Sequence, residues 1–221
     1  MSNPTQVSLQ DRLDAQRAKS PEAMSAIVDA QMAALVAGGI LERSLKVGAH
    51  APEFTLPDAL GHPVSLAESL ARGPVVLTFY RGEWCPYCNM QLHAYQAILP
   101  AITASGATMI AISPQTPDHS LSMAEKHELA FPVLSDVGNV VAQQFGLVFQ
   151  YDAGTREFFA NRGLDLARFN GDPSWKLPLP ATYIIAQDGT IQLAFVNADF
   201  RRRLEPADLL AGLRALNGKA Q

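Results

Sequence analysis

Cys85 and Cys88 are the only two cysteines among 221 residues, and they stand three apart in the stretch Tyr80-Arg81-Gly82-Glu83-Trp84-Cys85-Pro86-Tyr87-Cys88. Two thiols so placed suit reversible dithiol–disulfide chemistry. Proline is favoured at the first position of a helix, so Pro86 marks a helix start with Cys85 at its cap. The partial positive charge at a helix N-terminus stabilises a thiolate, which predicts a depressed pKa for Cys85 and makes it the nucleophile. Arg81, at the turn before it, adds to that field; the alternative is that it pairs with Glu83 or faces water. Cys88 falls one turn on along the same face, its Cα about 5–6 Å from that of Cys85, within reach of a disulfide. Other uses of the pair fit less well. Zinc needs about four ligands and only His93 lies near, while a bridge closing so short a loop removes little chain entropy. The chemistry calls for no metal and no organic cofactor.

The elements that must position these residues follow from periodicity. Val75 to Tyr80 reads as a buried strand, and Pro86 to Ile102 as a helix that Pro100 should kink or end. Thr108 to Ser113 is a second strand, so the three make a βαβ unit with the cysteines at the carboxyl end of its first strand, where ligands of such sheets bind. Upstream, Phe54-Thr55-Leu56 and Val64 to Leu66 form a strand, turn and strand, and Ser65 with Glu68 a capping box. Downstream come a helix over 122–129, a strand over 132–134, a helix over 140–145, and a helical turn near 155–161 followed by loop to Leu179. A hairpin of Thr182 to Ile185 with Ile191 to Val196 and a last helix from Pro206 complete this part. Before it, Ser20-Pro21 opens an amphipathic helix that Gly38-Gly39 ends. The chain thus divides into a helical arm over 1–45, packed on its neighbour or on a sister subunit, and an α/β domain over 46–221.

Composition narrows the function. Seventeen Lys and Arg against 21 Asp and Glu leave a net charge of −4, too little cationic surface for nucleic acid. Hydrophobic residues make up 48% and charged residues 17%, enough for a full core with surface left for a second copy in a homodimer. The polar start, Met1 to Asp14, has no signal-peptide core, and the apolar run Met32 to Ala37 is far short of the roughly 20 residues of a membrane span. The sequence therefore predicts a soluble, cytoplasmic protein that works on neither nucleic acid nor membrane.

Trp84-Cys85-Pro86-Tyr87-Cys88 after an apolar strand resembles the active site of the thioredoxin and glutaredoxin superfamily. The wider frame resembles the peroxiredoxins: Ala51-Pro52-Glu53-Phe54-Thr55-Leu56-Pro57-Asp58, the active-site turn, Phe131-Pro132-Val133-Leu134-Ser135-Asp136, and Tyr183-Ile184-Ile185 with Asp188-Gly189. More narrowly, Tyr-Arg-Gly-x-Trp-Cys-Pro-x-Cys is similar to the peroxiredoxin-like branch of the alkyl hydroperoxide reductase and thiol-specific antioxidant family. The resemblance implies a thioredoxin-like, peroxiredoxin-type central sheet flanked by helices, with the N-terminal helices as an extension. It also implies a thiol-dependent peroxidase. In that cycle Cys85 attacks a hydroperoxide, Cys88 resolves the sulfenic acid, and an external dithiol such as a thioredoxin or glutaredoxin-type protein reduces the disulfide.

The departures are as informative. The family sets Pro seven residues before its attacking cysteine, Thr or Ser three before it, and an Arg near the later strand; counted from Cys85 these places hold Thr78, Gly82 and Pro180. Arg81 is the candidate substitute for the missing Arg. Leu179-Pro180-Ala181-Thr182 resembles instead the cis-proline loop of disulfide exchangers, which implies a cis bond before Pro180 and places Pro180 and Thr182 beside the thiols; the alternative is an ordinary trans proline entering a strand. A general thiol-disulfide oxidoreductase is therefore the first alternative, and a redox-sensing module whose arm binds a partner the second. Trp84 and Tyr87 either line the approach to Cys85 or pack on the domain. Glu83 reads as solvated, Arg201-Arg202-Arg203 as a solvated or intersubunit surface, and His119 carries no assignment.

Overall fold

A computed structural model describes residues 7–219; the first six residues of the arm, and Ala220 and Gln221, lie outside it. The described residues open with α1 (Leu9–Arg17), α2 (Glu22–Ala37) and α3 (Ile40–Arg43). Next come the short antiparallel pair β1 (Thr55–Pro57) and β2 (Pro63–Ser65), and α4 (Leu66–Arg72), capped by the Ser65 hydroxyl on Glu68 N–H. The expected βαβ unit is β3 (Val75–Phe79), α5 (Pro86–Ala104) and β4 (Thr108–Ser113), with β3 and β4 parallel. It is followed by α6 (Pro117–Lys126), β5 (Val133–Ser135), α7 (Val140–Gln144), β6 (Val148–Gln150), α8 (Ala153–Ala160), α9 (Leu166–Asn170) and β7 (Lys176–Pro178). The hairpin β8 (Ala181–Ile185) and β9 (Ile191–Val196) and the helix α10 (Pro206–Lys219) close the chain.

The central sheet has the order β5-β4-β3-β8-β9, with β3, β4 and β5 parallel and β8 and β9 antiparallel. Every residue of β3 is buried, as a strand covered on both faces must be. Its side chains alternate: Val75, Leu77 and Phe79 face a core with Phe145, Leu134 and Tyr183, while Val76 and Tyr80 face a second core with Leu92, Tyr95 and Leu213. Leu9 and Leu13 of α1 belong to that second core, 3% and 0% exposed, so α1 packs into the main body.

Several elements depart from the sequence expectation. Helix α5 runs four residues beyond Pro100. Pro100 is exposed, so water can serve the carbonyl its missing N–H leaves free, while Ile102 beyond it is fully buried and anchors the last turn. Helix α2 begins one residue later than expected, with Pro21 at the cap. The segment expected as a turn and loop holds α8, α9 and β7, and β7 pairs antiparallel with β6. Asp152 and Asp165 start those two helices by accepting from Thr155 N–H (2.9 Å) and Arg168 N–H (3.0 Å). Elements this short carry no sustained period; their polar caps are what sequence shows of them.

Candidate active site

Strand β3 ends inside the sheet, and the chain leaves it through Tyr80, Arg81 and Gly82. Gly82 has φ +146°, and a Cβ there would press on the Trp84 indole and lie 3.2 Å from Gln115 Cδ, so the turn closes only around glycine. Cys85 is in extended conformation at the cap of α5 with Pro86 next, as expected. The first turn is held by Cys88 N–H and Asn89 N–H on Cys85 O, at 3.0 and 3.1 Å. Both sulfurs are free, and they are deeply placed: Cys85 is 1% exposed and Cys88 0%.

The charge of the pair rests on the residue the sequence did not favour. Burial pushes the Cys85 thiol well up, and its hydrogen bond to Cys88 adds to that. At Cys88 burial acts in the same direction, but the S–H of Cys85, the guanidinium groups of Arg203 and Arg81, and the Arg81 backbone N–H outweigh it and bring the thiol down to about 6. The direction at Cys85 is thus the reverse of the expected lowering, and it is Cys88 whose thiol is lowered. Both cysteines stand in the first turn of α5, and the side-chain donors at Cys88 set the two apart.

Arg203 Nη2 lies 3.5 Å from Cys88 Sγ. Arg203 is 4% exposed and Arg201 5%, whereas Arg202 between them is exposed, so the run expected as surface is an extended segment with alternate residues turned inward. No carboxylate lies within 4 Å of Arg203 among the described residues. Arg201 pairs with Asp199 (2.8 Å) and with Asp29 of α2 (2.6 Å), tying this segment to the arm.

Arg81 is 2% exposed; it neither faces water nor pairs with Glu83. Its guanidinium donates to the Tyr151 hydroxyl and lies 4.0 Å from the centroid of Phe200 and 4.7 Å from that of Trp84. Burial works against its charge, but Tyr151, Cys85 and Cys88 together raise its hold on the proton. Trp84 and Pro86 line a cleft over Cys85, as does Tyr87, whose ring meets Phe200 edge-on at 5.5 Å. The cleft encloses about 420 Å³.

Glu83 is not solvated. Its carboxylate meets His119 Nδ1 at 2.6 Å, its N–H donates to Gln115 Oε1 at 2.8 Å, and its carbonyl accepts from Asn89 Nδ2 at 2.9 Å. These bonds fix the turn from both sides.

The bond before Pro180 is trans, since the described residues contain no cis peptide. Pro180 is buried between β7 and β8, and neither it nor Thr182 donates to a sulfur. Thr182 instead sits in a fully buried network behind α5. Its hydroxyl meets Thr78 Oγ1 (3.1 Å) and Gln91 Nε2 (3.2 Å), and Tyr95, beside it, donates to Leu204 O (3.0 Å), next to Arg203. It positions the helix and the arginine segment rather than the substrate. The site residues that spacing could not find are Arg203, Tyr151, Gln115 and His119; the run Arg201-Arg202-Arg203 is the one local sign, and it points to Arg203 alone.

Among the described residues there is no cluster of three or more His, Cys, Asp or Glu that could hold a metal, and no helix long and apolar enough to cross a membrane. The AhpC/TSA family matches residues 47–194. The chain belongs to that family. As a member it is a peroxiredoxin-type thiol peroxidase. It is 29% identical over 150 residues to the chloroplastic peroxiredoxin Q of Sedum lineare, covering 68% of each chain. To the chloroplastic peroxiredoxin Q of Arabidopsis thaliana it is 30% identical over 159 residues, covering 72% of this chain but only 63% of that protein's length. Among solved structures, peroxidoxin BcpB from Mycobacterium tuberculosis shares the fold, with a TM-score of 0.62 and 24% identity over 78% of this chain and 98% of that one. The α/β fold with its mixed central sheet flanked by helices is thus the peroxiredoxin type.

Proposed function

We propose that Cys88 and Cys85 run a dithiol–disulfide peroxidase cycle in which Cys88 attacks. The Cys88 thiolate displaces on the terminal oxygen of a hydroperoxide; the O–O bond breaks, and Cys85 gives its thiol proton to the departing alkoxide or hydroxide. The products are Cys88 sulfenic acid, an alcohol or water, and a Cys85 thiolate already in contact. Cys85 then attacks the sulfenic sulfur, releasing hydroxide and forming the disulfide, which an external dithiol of thioredoxin or glutaredoxin type reduces.

The observation that carries this reading is Arg203 Nη2 3.5 Å from Cys88 Sγ, with the Cys88 thiol lowered by its donors and the Cys85 thiol raised by burial. Counting from Cys88 changes which residues stand at the family's two positions. Counted from Cys88, the position three before the attacking thiol is Cys85, whose S–H donates where the family has a hydroxyl. The position seven before is Arg81. Thiol-disulfide exchange with a protein is supported less well, because both sulfurs are buried and Pro180 is trans. We divide the chain into a helical arm over 1–45, of which α1 packs Leu9 and Leu13 into the second core, and a peroxidase domain over 46–221; two thiols with no disulfide framework fit a reducing compartment such as the cytoplasm.

The test is to trap the oxidised thiol. On addition of hydrogen peroxide, Cys85→Ser should accumulate a sulfenic acid at Cys88, detected by dimedone labelling and mass spectrometry, and Cys88→Ser should not react. Sulfenic acid confined to Cys85 would reverse the two roles, and no thiol loss in the parent protein would remove the peroxidase reading.

A further inference from the structure

The guanidinium of Arg203 has little of its own to hold it in place. Nη2 faces Cys88 Sγ at 3.5 Å, while Nε and Nη1 are buried without a hydrogen-bond partner. Its position therefore depends on the backbone that carries it. That backbone, residues 201–205 between β9 and α10, belongs to no helix or strand. A segment without ladder bonds is fixed by the groups that neighbouring elements offer it.

The helical arm supplies a tie on each side of Arg203. Two residues before it, the buried Arg201 places Nη2 2.6 Å from Asp29 Oδ1 of α2. Two residues after it, the Glu205 carboxylate accepts from the N–H of Gln10 at 2.7 Å and of Leu9 at 3.1 Å. Both N–H groups belong to the first turn of α1 and have no partner inside the helix, so an anion there satisfies them and complements the positive end of the helix. Leu9 and Leu13 sink the same helix into the second core, which makes it a firm anchor. From the other side Tyr95 of α5 donates to Leu204 O at 3.0 Å. Asp29, Arg201 and Glu205 all lie outside residues 47–194, the stretch that matches the family.

We propose that Glu205 and Asp29 are positioning residues for the attacking thiol: through them α1 and α2 hold residues 201–205 where Arg203 reaches Cys88. Both act through Arg203 rather than on the sulfur itself. The sign of their effect separates this from a simple field. Each is a carboxylate, and removal of a negative charge near a thiol by itself favours the thiolate and lowers the pKa. Release of Arg203 takes a donor and a positive charge from the sulfur, and raises it. The proposal rests on Cys88 as the attacking thiol, and the test separates the two.

In the whole chain, thiolate absorbance and the pH dependence of iodoacetamide alkylation at Cys88, located by mass spectrometry, give the midpoint of the thiol without any peroxide. Glu205→Gln should move that midpoint up by about one unit and Asp29→Asn by about half a unit, with Asp29→Glu recovering the parent value. The Asp29 side chain is 47% exposed, so its replacement opens no core and carries the test should Glu205→Gln loosen α1. Near pH 6 the reaction of Glu205→Gln with hydrogen peroxide should be about fivefold slower, from the smaller thiolate fraction. Both shifts should vanish when Arg203→Met is added, since a residue that acts through another adds nothing once that other is gone. Midpoints that stay or move down, or upward shifts that persist in the Arg203→Met background, would overturn the positioning role. Unmoved midpoints with hydrogen peroxide still reduced at the parental rate would do so and leave the peroxidase standing. Upward shifts that need Arg203, in a protein that reduced no peroxide, would uphold the positioning while the peroxidase reading fell.

Discussion

Arg203 Nη2 and Cys88 Sγ lie 3.5 Å apart although 115 positions separate the two residues in the chain. The contact brings a guanidinium to a sulfur in a dry setting, where an oriented donor acts far more strongly than in water. Two further nitrogens of Arg203, Nε and Nη1, are buried without a partner, so the Cys88 thiolate is what compensates this cation. Arg203→Met should raise the Cys88 pKa and slow the peroxide step about a hundredfold or more, the cost typical of losing one preorganised donor. Arg203→Lys should restore the charge without the fork and recover part of the rate. Stopped-flow tryptophan fluorescence, with Trp84 beside Cys85 as reporter, measures it. An unchanged rate in Arg203→Met would place the stabilising donor elsewhere.

The pH dependence follows from Cys88. Its folded value of about 6 lies below the ordinary 9.0, so the thiolate is favoured by folding. The resulting stabilisation is full above pH 9.0 and is lost as the pH falls toward 6. The stability difference between the parent protein and Cys88→Ser should therefore shrink between those limits, as read by urea unfolding. The rate with hydrogen peroxide should be nearly flat above neutrality and halve near pH 6. A midpoint for thiolate absorbance near the ordinary value would contradict the assignment.

Arg81 acts in a different way from the expectation of an exposed cation. Enclosed by Tyr151, Phe200 and Trp84, it fills space as well as carrying charge. Arg81→Ala should cost about 2–4 kcal/mol of stability, since it leaves a cavity and an unpaired Tyr151 hydroxyl. Denaturant unfolding checks this. A loss within about 0.5 kcal/mol, usual for surface sites, would contradict the packing.

Gly82 tests the turn itself. With φ +146° and Trp84 Cδ1 2.9 Å from where a Cβ would sit, Gly82→Ala must move the indole or open the turn. A loss of about 1–3 kcal/mol is expected, the range for a strained backbone position, together with a shifted tryptophan emission maximum. An unaltered spectrum and stability would mean that the turn has more room than these contacts leave.

The sequence alone determined the parts that are local. The run Val75 to Tyr80, the Pro86 helix start and the strand after it fix the βαβ unit, because periodicity and capping act within a few residues. The spacing of Cys85 and Cys88 fixed a dithiol on the first turn of a helix. What only the tertiary structure decided is how that dithiol is charged. A helix terminus favours a thiolate on either sulfur; Arg203, brought in from the far end of the chain, and the donor role of Cys85 select Cys88. The same holds for Arg81, whose burial depends on Tyr151 and Phe200, and for Glu83, whose partner is His119. It holds for the cleft, whose walls come from α2, α8, α9 and the segment after β9. Electrostatic fields and packing depend on distance through space, and distance along the chain does not encode them.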